Sequence, residues 1–173
     1  MVTAWRMAAV VVAGIVALAA CAPGDGEAGA PSPGPTATTA RDRPVAGCPV
    51  GEGEVSEELG FAVARRAPLV GGRCTFLAVD VAAHRGASVE LLVLVDPDAL
   101  AAARADVEAR TGATPAPARV EGATEAYRLG LGVVAQVGAV DAVGGVVVTV
   151  ADPARGAAAA GEVAVALAAL ALR

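Results

Sequence analysis

The chain has 173 residues, a net charge of −5, 55% hydrophobic residues, 18% charged residues and only 2% aromatics. All its basic residues are arginine, and its acids are scattered, so no basic face is available for a nucleic acid, which needs clustered cations and usually stacking rings. With Phe61, Phe76 and Tyr127 as the aromatics beyond Trp5, a stacking platform for carbohydrate is missing too.

The first element is an apolar run. After Arg6, residues Ala8–Ala20 (AAVVVAGIVALAA) carry no charge and no proline. As a helix this run reaches roughly 20 Å, short of the ~30 Å hydrocarbon core, which suits the h-region of a signal peptide better than a spanning helix. The expectation is a signal peptide over residues 1–20. The run closes in Leu18-Ala19-Ala20-Cys21, which resembles the bacterial lipobox. Small side chains admit an extended backbone to the processing site, and the thiol takes the lipid. Cys21 is therefore the expected lipidation site, and the implied partner is a membrane held through that anchor. Two or more acyl chains, at ~0.8 kcal/mol per buried methylene, hold stably where one does not. The alternative is an ordinary secretory cut at an A-x-A-like site with Cys21 incidental.

Residues 21–44 continue as CAPGDGEAGAPSPGPTATTARDRP. Pro, Gly, Ala, Ser and Thr dominate without apolar period, the composition of a spacer that builds no core. The Thr/Pro stretch Pro35–Thr39 is a candidate for O-glycans.

Residues 45–173 read as one domain. Cys48 and Cys74 form an even pair, read first as a disulfide in an exported chain, with a free thiol pair or half a metal site as alternatives. Glu54–Val63 predicts a short helix with acids in its first turn. Cys74–Val81 and Ser88–Val95 predict two strands turning at Ala83–Gly86. Asp96-Pro97-Asp98 opens a helix that runs from Ala99 to Arg110 and stops at Gly112. A loop over Thr114–Val120 follows, then strands over Thr124–Leu129, Val133–Val140 and Gly145–Val150. Pro153–Leu172 predicts an Ala-rich helix with Val163, Leu167 and Leu170 on one stripe. Short turns between strands imply antiparallel pairing, so the expected fold is α+β: a single two-layer domain with an antiparallel sheet of about five strands and helices packed on one face.

Taken together, the lipobox, the Pro/Thr spacer, Cys48-Pro49, Glu57-Glu58-Leu59-Gly60, Gly71-Gly72-Arg73-Cys74-Thr75-Phe76 and the Ala-rich C-terminal helix resemble the small two-cysteine cell-envelope lipoproteins of actinobacteria, which are similar to extracellular sensor-type domains of receptor kinases. The resemblance spans Gly47 to Arg173, and Phe76 holds the aromatic position two residues after the second cysteine. It implies a Cys48–Cys74 disulfide, an extracytoplasmic location at the cell membrane and no catalytic residues.

Chemistry-bearing residues are sparse. His84, the sole histidine, falls in a predicted turn, and Ser56 and Ser88 lie in no G-x-S-x-G elbow, so a hydrolase is the least favoured class. Asp80, His84 and Glu90 could meet at the end of the first hairpin as a metal site, but exposed polar residues gather there anyway, so no metal and no cofactor is expected. The acid pairs Glu57-Glu58 and Asp96/Asp98 read as helix-start chemistry. Arg65, Arg66 and Arg73 form a small basic group near Cys74, read as a solvated surface rather than a contact for anionic headgroups. The expected function is a non-catalytic module binding an envelope protein or small molecule. A carrier of lipid or another apolar ligand, held between sheet and helices, is the second class.

Overall fold

The computed structural model describes residues 47–66 and 72–173. The chain divides into two units at Ala37/Thr38, and every described residue belongs to the second. The signal-peptide expectation, Cys21 and the spacer lie outside the described residues.

Ten elements follow in chain order: α1 (Glu52–Leu59), β1 (Val63–Arg65), β2 (Arg73–Ala78), β3 (Ser88–Leu94), α2 (Ala99–Thr111), β4 (Ala116–Pro117), β5 (Glu125–Leu131), β6 (Val134–Val140), β7 (Gly145–Ala151) and α3 (Gly156–Ala171). The fold is α+β and the sheet is antiparallel throughout, in the order β1-β2-β3-β7-β6-β5-β4. It has seven strands rather than about five. The two additions, β1 and β4, are three and two residues long. They are edge strands too short to show alternation, and one contains Pro117, which suits an edge because it has no N–H to donate.

β1 begins at Val63, the residue expected to end the first helix. That helix stops earlier because Gly60 adopts φ 71° and its N–H turns back to the carbonyls of Ser56 and Glu57. A left-handed residue closes a helix this way, and glycine occupies that region without a Cβ clash. The segment between β3 and β4, containing α2, carries the chain to the far edge of the sheet. β4 to β7 then meander inward until β7 pairs with β3 along its whole length.

The helices occupy both faces, so the domain has three layers, not two. Two separate apolar clusters establish this. One joins Val55 and Leu59 of α1 and Ala160, Ala164, Leu167 and Ala168 of α3 to Phe76, Val89, Leu91, Val137, Val146, Val148 and Val150. The other joins Leu100 and Val107 of α2 to Leu94, Tyr127, Leu129, Val140 and Val147, the alternate positions of the same strands. Side chains on a strand point alternately to opposite faces, so the parity of these residues assigns the faces. β7 is the strand buried on both sides, and its sequence GVVVTVA is accordingly almost continuously apolar. The alanines of α3 at 160, 164 and 168 are fully buried, and their small side chains let the helix axis settle close to β6 and β7.

Cys48 and Cys74 are disulfide-bonded, with their Cα atoms 5.8 Å apart. The bond ties the segment ahead of α1 to the start of β2. Cys74 is buried in the larger cluster and Cys48, partly buried, packs against it.

Candidate functional site

The face carrying α2 is only partly covered. α2 lies over β6 and β7, while Thr75, Leu77, Ser88 and Glu90 on β2 and β3 remain half-exposed. At the boundary the strand registers align a row of polar side chains across four strands: Thr75 opposite Glu90, Glu90 opposite Thr149, and Thr149 opposite Gln136. The row is internally bonded. The Tyr127 hydroxyl donates to Gln136 Oε1 at 3.1 Å, and Gln136 Nε2 donates to Thr149 Oγ1 at 3.1 Å. At its other end Arg73 donates to Glu90 at 2.5 Å in a half-exposed ion pair.

These groups line a cleft of about 390 Å³ whose second wall is α2, through Ala103, Asp106 and Arg110. Arg110 pairs with Asp106 on the helix surface. The cleft therefore sets two ion pairs and the hydrogen-bonded Tyr127–Gln136–Thr149 row beside Leu92 and Val147. Such a lining can orient a ligand through its donors and acceptors while the apolar neighbours supply contact. Tyr127 anchors its inner end. Burial pushes its hydroxyl up to about 12 from the usual 10.0, with Asp106 adding to the rise and Arg110 and Arg104 opposing it. A phenol held so far above neutral pH stays protonated and serves as a hydrogen-bond donor.

A second cleft, about 460 Å³, lies between α1 and α3 and is lined by Glu54, Glu57, Glu58 and Glu121 with Arg173. Glu54 caps its own helix there, accepting the Gly51 N–H at 2.7 Å. Among the described residues no group of three or more His, Cys, Asp or Glu is placed to hold a metal ion, and no helix is long and apolar enough to cross a membrane.

The residues singled out in the sequence do not assemble into one site. Asp80 turns its carboxylate onto the N–H groups of Ala82 and Ala83. His84 stacks on Phe61 at 3.9 Å between ring centroids. Glu90 is taken up by Arg73. Ser56 accepts a hydrogen bond from the Val63 N–H, and Ser88 lies in β3. Arg65 shares a sheet face with Phe76 and Arg73 the opposite face with Leu92, so the basic group is split. Asp96 accepts from the Asp98 N–H, as a helix-start residue does.

The polar row was not among the expectations. Its signal is Gln136 and Thr149 standing alone in the apolar strands VAQVGAV and GVVVTVA. A lone polar residue in such a run needs a partner, because burying it unbonded costs ~1–3 kcal/mol.

Comparison with family models, with curated proteins and with solved structures finds no match to this chain.

Proposed function

We propose that this chain is a membrane-anchored extracytoplasmic lipoprotein whose domain is a non-catalytic binding module of the cell envelope. The anchor is Cys21, behind the Ala8–Ala20 run. The binding surface is the half-open sheet face with its Tyr127–Gln136–Thr149 row and the Arg73–Glu90 pair. One observation favours a surface binder over a carrier. The layer between sheet and α3, where an apolar cargo would sit, is closed at its centre by Val137, Val148, Ala160, Ala164, Leu167 and Ala168, all fully buried. The cleft of about 470 Å³ left at its edge, between the start of α3 and β5–β6, is lined by Arg128, Gln136 and Glu162 as well as by Leu129, Ala135 and Ala157. The scattering of His84, Ser56 and Ser88 likewise supports recognition over hydrolysis.

The test is the mass of the protein extracted from its own membranes, read native and then denatured. The expected denatured mass begins at Cys21 with acyl chains and lacks two hydrogens for the disulfide. A mass that begins at Met1, or an unmodified Cys21, overturns the anchor. A native mass carrying a lipid that leaves on denaturation overturns the surface-binding reading in favour of a carrier.

A further inference from the structure

Four exposed large apolar side chains gather at one end of the sheet. β3, β7 and β6 align Ser88, Ala151 and Val134, so the β2–β3 loop and the β5–β6 turn emerge at the same end. The loop exposes Val79 (62%) and Val81 (63%), and the turn exposes Leu131 (38%) and Val133 (41%). Two strand spacings, about 10 Å, separate β3 from β6.

The two tips are joined by the segment between β7 and α3. The Asp152 N–H donates to the Val133 carbonyl, and the Ala157 N–H to the Gly132 carbonyl. On the other side Pro153 packs against Gly86, where a Cβ would sit 3.3 Å from its ring. Asp152 is itself 3% exposed and accepts the N–H groups of Ala154 and Arg155. Arg155 reaches on to the Leu59 carbonyl of α1. The tips thus stand on a shared, hydrogen-bonded base.

Charge distinguishes this end from the other. Asp80, the acid between the two loop valines, accepts the Ala82 and Ala83 N–H groups and keeps its charge, which the exposed Arg85 of the same loop offsets. Residues 129–135 carry no charge. At the opposite end Val95 and Val143 are also exposed, at 70% and 51%, but Asp96, Asp98 and Asp141 flank them. Three acids there oppose an anionic membrane surface, whereas tips whose one acid is matched by an arginine do not, and their apolar side chains suit the headgroup boundary.

We infer that the Val79/Val81 and Leu131/Val133 tips form a bilayer-docking platform that dips into the headgroup region of an anionic phospholipid membrane. The choice of a bilayer as occupant rests on the proposed anchor: only residues 22–46 lie between Cys21 and the first described residue, so a tethered domain works close to the lipid. The tips then add a second attachment and fix which end faces the membrane, leaving the polar cleft at the side.

The experiment uses the full chain with Trp5→Phe, which removes its one tryptophan. Val81→Trp, Val133→Trp and Val143→Trp each supply a single reporter. Each variant is mixed with vesicles of phosphatidylcholine and phosphatidylglycerol, with and without brominated acyl chains. Insertion by ~5–10 Å predicts a blue shift and about twofold quenching by bromine at 81 and 133, and neither at 143. Equal quenching at 143, or none at 81 and 133, overturns the platform. Deuterium uptake in the unsubstituted chain provides the unperturbed check: vesicles should slow exchange over 79–86 and 131–134 but not over 95–98 and 141–144. The same preparations are weighed intact. Acylated Cys21 without quenching sinks the platform and leaves the anchor; quenching with unmodified Cys21 sinks the anchor and leaves the platform.

Discussion

Gly138 on β6 lies directly beneath the ring of Tyr127: a Cβ there would fall 2.7 Å from Tyr127 Cζ and 2.8 Å from Leu100 Cδ1. The missing side chain is what lets the aromatic lie flat between the sheet and α2, with its hydroxyl directed to Gln136. Gly138→Ala should therefore destabilise the domain by ~1–3 kcal/mol through overpacking. Gly161, inside α3, is the contrast, because its Cβ would meet only Ala135 at an ordinary 3.8 Å. Gly161→Ala should stabilise by about 0.5–1 kcal/mol, the gain of replacing a mid-helix glycine. Urea unfolding midpoints of the two variants should move in opposite directions; a Gly138→Ala variant as stable as the parent would contradict the packing described.

How far the sequence foretold this arrangement depends on element length and on which face an element covers. β2, β3, β5, β6 and β7 have six or seven residues each, enough for alternation or a continuous apolar run to be visible. β1 and β4 have three and two, and a pattern of period two cannot show itself there. The expectation that all helices share one face failed for a different reason. Helix α2 reads ALAAARADVEART, with Leu100 and Val107 one heptad apart, and nothing local states which side of the sheet they meet. The relevant signal lay in another element: a strand such as GVVVTVA, apolar at both parities, requires cover on both faces. The cleft was obscured for a related reason, since Tyr127, Gln136 and Thr149 become neighbours only through strand register.

The Cys48–Cys74 bond spans 26 positions and closes a loop containing α1 and β1. Chain-entropy arguments give ~3.5 kcal/mol for a loop of this size. Cys48→Ser with Cys74→Ser should lower the unfolding free energy by about that amount at neutral pH, measured by urea titration. Reduction with dithiothreitol should bring the parent to the same midpoint as the double variant, and should leave the double variant unmoved. A double variant as stable as the oxidised parent would remove the bond from the stability of the domain.

Asp152 organises the connection into α3. Its carboxylate accepts two backbone N–H groups and faces Arg155 at 3.5 Å, with its side chain almost wholly shielded. Asp152→Ala strands these donors and should cost about 1–3 kcal/mol. Asp152→Asn keeps the Oδ1 acceptor and should cost less, about 1 kcal/mol, because the attraction to a partly exposed Arg155 is screened. Amide exchange should quicken around Gly132, Val133 and Gly86 in the alanine variant before it does in the sheet. Unchanged exchange at those positions would show that the two loops do not depend on this aspartate.

Tyr127 sets the alkaline limit of the α2 layer. Its hydroxyl rises to about 12 in the folded chain against 10.0 unfolded, chiefly through burial. Below pH 10 both states hold the proton and stability does not depend on it. Between pH 10 and 12 the unfolded chain releases the proton while the folded one keeps it, so stability falls as pH rises, by about 2–3 kcal/mol over the full interval. Tyr127→Phe removes this dependence and also removes the donor to Gln136, a loss of about 1 kcal/mol at neutral pH. Unfolding curves collected from pH 8 to 11.5 should show the parent more stable at the start, the gap closing above pH 10, and the phenylalanine variant ahead near pH 11. Parallel pH profiles for the two proteins would mean that the phenol is not held in its protonated form by the layer between the sheet and α2.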